Sequence, residues 1–360
     1  MSVHFEKIRV KKINQETSGC VTITFDIPES LTEKFSYKHG QHINMRTFIN
    51  GEEVRRSYSL CSSPLDKEWK VAVKKVEGGI FSSFANGILK PGDELELMTP
   101  MGHFSVDLDA TQKKSYVAFA AGSGITPVLS IIKTVLSTEP KSIFTLVYGN
   151  RNRSSIIFKE ELEALKNKYI NRLSIIHTLS REKTDAAINH GRIDAAKCAM
   201  LFNKAVDINA DEFFLCGPEE MIFSVKDYLE ANGVAKKKIH FELFTTAESK
   251  KPKAKSENAS AEDSGAKSHV SVKLDGIAFD FDIPFNSDDT VLDAAIKKGA
   301  DLPYSCKGGV CCTCKAKLLE GEVTMDVHWG LEPEEVEEGY ILACQSHPVT
   351  EKVVIDFDIK

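Results

Sequence analysis

The sequence predicts a multidomain chain of β, α/β and α+β modules: an antiparallel barrel, a parallel sheet covered by helices, and a small mixed module. Three observations carry this. Residues 1–107 alternate apolar and polar positions in short runs, whereas from 115 apolar strands alternate with helical stretches. Beyond a polar stretch at 246–268, both charge and cysteine content change. At 360 residues the chain is long enough for two or three cores. Its 42% apolar and 27% charged residues are those of a globular protein and exclude a disordered or fibrous chain.

In the first module the runs FEKIRVKKI, CVTITFDI, QHINMRTFI, KVAVKKV and ELELMTP are separated by Gly, Pro and Asp turns, as in an antiparallel barrel. The second, 108–245, reads SYVAFAA, SIFTLVYG, RLSIIHTL and DEFFLCG as strands. TPVLSIIKTVLS, FKEELEALKNKY and PEEMIFSVKDYLEANG read as helices, a pattern that predicts a parallel sheet. The stretch TAESKKPKAKSENASAEDSGAKS (246–268) lacks large apolar residues and reads as a flexible linker. The third module, 269–360, has short strands and a helix at VLDAAIKKG.

That last module carries 18 Asp/Glu against 8 Lys/Arg, a net −10, while residues 1–245 carry a net +3. The contrast suits docking onto a basic surface, and equally an acidic surface that keeps the module in solution. No basic patch with interleaved aromatics points to nucleic acid. The start MSVHFEKIRVKKINQ has no apolar core of a signal peptide, and the apolar stretch 115–132 is broken by Gly122, Gly124 and Pro127. A cytoplasmic enzyme without a membrane span is expected. Nine cysteines in such a chain do not suggest a disulfide framework.

Several segments can carry chemistry. In RSYSL (56–60) the period of a strand puts Arg56 and Tyr58 on one face, a cation for a diphosphate and a flat ring for a planar ligand. An ordinary strand would read the same. GGIFSSFANG (78–87) sets glycines before a helix start, where free amides hold phosphate, or where a plain turn and cap would stand. AAGSGITP (120–127) ends a strand and is expected to open a helix at Pro127, with Gly122 and Gly124 allowing close approach of an anion. The third glycine of the dinucleotide fingerprint is missing, and no acid follows about 20 residues on to bind a ribose hydroxyl. LCGPEEM (215–221) puts Cys216 at a strand tip, as a ligand contact or as a buried core residue.

PYSCKGGVCCTCK (303–315) is more specific. Cys306, Cys311 and Cys314, with Cys344 after 29 intervening residues, fit the C-x4-C-x2-C…C spacing of a plant-type [2Fe–2S] centre. Gly308 and Gly309 let the loop curl around it. Zinc is the rival, but structural zinc sites bring ligands as two close pairs rather than three plus one. Cys312 stands outside the ligand pattern.

In this order the motifs resemble the ferredoxin–NADP reductase superfamily with a plant-type, β-grasp-like ferredoxin at the C-terminus. The resemblance implies an FAD-binding barrel, an NAD(P)H-binding domain and a [2Fe–2S] cluster held by Cys306, Cys311, Cys314 and Cys344. It implies that Arg56 meets the FAD diphosphate, Tyr58 stacks on the isoalloxazine and Ser59 bonds near its N5. Gly79, Ile80, Phe81 and Ser82 resemble the diphosphate loop, and Lys74 joins the cofactor set. FELF (241–244) makes Phe244 a flavin contact. Gly122, Ser123, Gly124 and Thr126 resemble the nicotinamide-nucleotide loop, and Cys216, Gly217 and Pro218 the C-G-P motif, so Ser59 and Cys216 flank the reacting rings.

Among such fusions YGNRNRSSIIF (148–158), HTLSRE (177–182) and the domain order are nearest to reductases of phenylacetyl-CoA epoxidase systems. The partner so implied is a di-iron terminal oxygenase. Reductases of ketosteroid hydroxylases share most of these features, so another oxygenase remains the alternative, and a cluster-based redox sensor a further one. Ser180 and Arg181, with Arg151 or Arg153, can take a 2′-phosphate, which favours NADPH over NADH.

Overall fold

The computed structural model describes residues 5–244 and 266–359, in two compact units divided after Phe244. The first unit begins with strands β1 (Glu6–Thr17), β2 (Cys20–Asp26), β3 (His42–Ile49), β4 (Glu52–Ser59) and β5 (Trp69–Lys74). Helix α1 (Ile80–Gly87) and β6 (Glu94–Leu97) follow. The strands form an antiparallel sheet in the order β4-β3-β6-β1-β2-β5, and a bridge between Leu60 and Val71 joins its outer strands into a barrel. Alternate residues such as Ile8, Val10, Ile23 and Ile43 fill the interior, as the period of two requires.

The parallel part follows as β7 (Ser115–Ala121), α2 (Ile125–Thr138), β8 (Ile143–Asn150), α3 (Lys159–Lys168) and β9 (Leu173–Leu179). Then come α4 (Ala195–Lys204), β10 (Glu212–Gly217), α5 (Glu219–Ala231) and β11 (Ile239–Leu243). All pairings are parallel and the order is β11-β10-β7-β8-β9. The chain steps outward from β7 to β9, then crosses back to the other side of β7. That reversal opens a crevice at the C-terminal ends of β7 and β10, where open sheets bind ligands.

Helix α2 starts at Ile125, two residues before the expected Pro127. Pro127 still lies in the first turn, whose amides lack intrahelical partners, so its missing N–H leaves nothing unpaired. Barrel and parallel sheet also share a core: Cys20, Ala72 and Phe104 pack with Phe214, Cys216 and α2. Phe104 meets Phe214 edge-on at 5.4 Å. The two modules expected on either side of residue 107 thus make one compact unit.

The second unit contains β12 (Lys267–Leu274), β13 (Ile277–Pro284), α6 (Val291–Lys297), β14 (Lys315–Glu320) and β15 (Val323–Met325). It continues through α7 (Pro333–Glu337), β16 (Tyr340–Leu342), β17 (Ser346–Pro348) and β18 (Lys352–Asp356). Its mixed sheet has the order β13-β12-β18-β14-β16, with β12 and β18 parallel, and α6 buries Val291, Leu292 and Ala295 in its core. The arrangement is β-grasp-like. The expected linker runs two residues too far, because Lys267 and Ser268 pair with Pro284 and Ile283 in β12–β13. Pairing with an apolar strand outweighs their polar composition; residues 246–265 lie outside the described residues. All nine cysteines are free, and among the described residues no helix is long and apolar enough to cross a membrane.

Candidate active site

A cleft of about 860 Å³ lies at the C-terminal ends of β7, β8, β9 and β10. Lys74, Gly122, Ser123, Gly124, Arg151, Ser180, Arg181, Gly217, Pro218 and Phe244 line it, gathered from six separate segments of the chain. Its floor needs glycine. Gly122 has φ +54°, and a Cβ on Gly124 would lie 2.0 Å from the Cys216 carbonyl oxygen. The loops after β7 and β10 therefore touch backbone to backbone. Tyr148, buried in β8, donates from its hydroxyl to Gly122 O at 2.9 Å and holds the loop from beneath.

Lys74, Arg151 and Arg181 have no carboxylate partner among the described residues. Burial lowers the Lys74 pKa, and the neighbouring Arg151 charge lowers it further. Converging cations without a counter-ion are relieved by an anionic ligand. Three expected residues stand outside the wall. Arg153 turns to Glu182 at 3.3 Å, and Thr126 is buried, donating to Ser123 O at 3.0 Å. Cys216 is fully buried, and burial followed by the Glu242 charge raises its thiol far above the usual range. It is a neutral thiol.

Beside the cleft, the end of β4 meets α1. The Tyr58 and Phe81 rings lie 5.5 Å apart. Gly79 is the N-cap of α1 and offers no side-chain cap, so the first-turn amides at Ile80, Phe81 and Ser82 are open to a ligand. The Ser82 hydroxyl instead closes the turn, accepting from Val76 N at 3.1 Å. Arg56 is exposed on β4, with Nη1 donating to Arg55 O at 2.7 Å. Ser59 is buried and donates to Glu242 Oε2 on β11 at 3.1 Å. Phe244, at the end of β11, leaves its ring 42% exposed, and Ile80 is 48% exposed. Each is exposed apolar surface of the kind that a planar ligand can cover.

In the second unit the cysteine loop curls through left-handed backbone at Lys307, Gly309 and Cys312 (φ +49°, +74° and +53°). The thiols influence one another's protonation most strongly as Cys306 with Cys311 and Cys314 with Cys344. Hydrogen bonding from Cys311 holds the Cys306 thiol down at about 7, and Cys314 lowers that of Cys344. Gly308 N donates to Cys306 Sγ at 3.3 Å, and Cys306 N to Cys311 Sγ at 3.5 Å. Two thiol pairs served by backbone amides are a donor set for two irons sharing sulfides. Cys312 does not join them; its thiol donates to Gly330 O.

The family model described as an oxidoreductase FAD-binding domain matches residues 7–106, and the oxidoreductase NAD-binding domain matches 119–227. A 2Fe-2S iron-sulfur cluster binding domain matches 273–349. One component of the 1,2-phenylacetyl-CoA epoxidase of Escherichia coli K12 is 44% identical over 99% of this chain and 98% of its own. This chain belongs to the ferredoxin–NADP reductase superfamily, in the branch with a C-terminal ferredoxin. The ferredoxin reductase component of a Rhodococcus rhodochrous 3-ketosteroid-9-alpha-monooxygenase is 36% identical to this reductase over 97% of the chain and 96% of that protein. Phthalate dioxygenase reductase shares the fold, with a TM-score of 0.58, 22% identity and 98% coverage of both chains.

The reductase is an NAD(P)H-dependent flavin and iron–sulfur oxidoreductase. Its residues fit the three groups: uncapped amides and exposed apolar surface for FAD, unpaired cations for a dinucleotide, paired thiols for the cluster. Sequence reading missed Glu242, although it stands inside FELF, because only the fold brings β11 to the end of β4. It also missed Arg192, Ile193 and Asp194 in the cleft wall. The stretch KTDAAINHGRID has no spacing that marks a site, and enters the wall because His190 returns to bridge Leu179. Arg192 there faces Glu220 at 3.7 Å.

Proposed function

We propose that this reductase takes electrons from NADPH and that its ferredoxin unit delivers them to the di-iron oxygenase of a phenylacetyl-CoA 1,2-epoxidase system in the cytoplasm. The observation that carries the acceptor is the 44% identity over nearly the full length of both chains. For the coenzyme, the support is the trio Lys74, Arg151 and Arg181 without carboxylate partners, beside Ser180. The two acids of the wall are already engaged: Asp194 caps α4 by accepting from Lys197 N at 2.8 Å, and Glu220 faces Arg192.

FAD, when bound, accepts two electrons as a hydride and releases them singly, as a [2Fe–2S] cluster requires. The chain's own residues do the positioning. In this reading Arg56 and the α1 amides hold the diphosphate, Tyr58 and Phe244 flank the ring, and Ser59 is oriented at its edge by Glu242. Gly122, Ser123 and Gly124 with Gly217 and Pro218 admit the nicotinamide end, with Cys216 packed beneath it as a neutral thiol. Arg151, Ser180 and Arg181 face the 2′-phosphate. Cys306, Cys311, Cys314 and Cys344 ligate the cluster.

Two measurements test this. The kcat/KM for NADPH should exceed that for NADH by at least about tenfold, and Arg181→Gln should remove most of the difference. A wild-type preference for NADH would sink the coenzyme assignment. Mixed with candidate oxygenases, the protein should support NADPH-coupled epoxidation of phenylacetyl-CoA; turnover with a steroid hydroxylase alone would overturn the acceptor.

A further inference from the structure

Lys197 sits in the first turn of α4, yet it is only 7% exposed. Its Nζ donates to the carbonyls of Ala187 at 2.5 Å, His190 at 2.6 Å and Ile188 at 3.5 Å. An ammonium has three protons, and here each has a backbone acceptor. It makes no ion pair with a carboxylate among the described residues. Its main-chain N–H meanwhile donates to Asp194. One residue thus grips both ends of the segment 187–194, and the C-terminal half of that segment, Gly191 to Asp194, is cleft wall.

The segment's other anchors are the buried side chain of Ile193 and a few hydrogen bonds to β9. Its single turn, Ala187–Asn189, buries no side chain. Gly191 is tied to β9 through Leu179 O and the Thr178 hydroxyl, and Asn189 reaches His177 O. Bonds from a charged donor are stronger than those from a neutral one, and a cation buried among carbonyls has no apolar substitute of equal hold.

We infer that Lys197 is a positioning residue for coenzyme binding, its buried side chain presetting the wall that carries Arg192 and Asp194. The inference rests on the reading that this cleft takes the pyridine dinucleotide. It concerns affinity and not the chemical step, because Lys197 itself does not line the cleft.

The test is steady-state reduction of ferricyanide by the full-length holoprotein, using the coenzyme the wild type prefers. Lys197→Met keeps the length and removes the donors; KM should rise about tenfold while kcat stays within about twofold. Lys197→Arg, a cation that can reach the same carbonyls, should recover most of the loss. A lowered melting temperature with wild-type KM would overturn the inference and leave Lys197 a purely stabilising residue. If Lys197→Met does not fold, Lys197→Gln carries the test: a raised KM that Arg restores supports the inference, an unchanged KM overturns it. The parent reading fails separately, if Arg151→Gln and Arg181→Gln both leave KM for either coenzyme at the wild-type value.

Discussion

Gly124 has no side chain because the carbonyl of Cys216 occupies the space one would need, 2.0 Å from an added Cβ. Neither partner is a flexible side chain, so Gly124→Ala must push the β7 and β10 loops apart. Overpacking of this kind should lower stability by about 2–3 kcal/mol and raise coenzyme KM well beyond what the thermal loss explains. Thermal melts with kinetics would check both effects, and a well-folded variant with normal KM would refute the close approach. The two adjacent cysteine types differ as sharply. Cys314→Ser should abolish the cluster spectrum and cluster-dependent cytochrome c reduction while sparing ferricyanide reduction by the flavin. Cys312→Ser should keep the spectrum, since a serine hydroxyl can still donate to Gly330 O. Loss of the cluster in the second variant would overturn the assignment of ligands.

At the scale of elements, legibility followed how local each signal is. The cysteine cassette could be read because three of its cysteines lie within nine residues of one loop, where spacing constrains what they can hold together. The Gly122–Gly124 loop was legible for the same reason. The wall at 191–194 was not, since it depends on a segment that wraps back onto β9, and α2 began two residues early because Pro127 is tolerated anywhere in a first turn. The segment joining barrel to sheet has a similar hidden dependence. His39 is 5% exposed, its Nε2 accepts from Val106 N at 3.4 Å, and burial pulls its pKa down to about 4. The folded state therefore binds this proton less readily than the unfolded chain, near 6.5. Stability from keeping it neutral is fully present above about pH 6.5 and is lost progressively as pH falls towards 4, a loss on the order of 3 kcal/mol. Melting temperatures between pH 7 and 4.5 should fall more steeply for the wild type than for His39→Gln; equal slopes would exclude His39 as the cause.

Over the whole molecule, domain order was legible because each module has its own periodicity, and charge divides them just as clearly. A net −10 on residues 269–360 has two readings that composition cannot separate: a docking surface, or solvation. Ionic strength separates them. A field between an acidic ferredoxin unit and a basic oxygenase acts over about 30 Å at 0.01 M salt and about 3 Å at 1 M. Electron delivery between separate molecules should therefore slow about tenfold or more between low and high salt. Reduction of the cluster within one chain has its donor held at a high effective concentration by covalent connection. At saturating coenzyme it should change by less than about twofold over the same range. Stopped-flow measurements of the two rates give the decision: if both fall together, the acidic surface serves docking within the chain. If neither falls, it is there for solubility alone. A fall confined to the intermolecular step assigns the charge to recognition of the oxygenase.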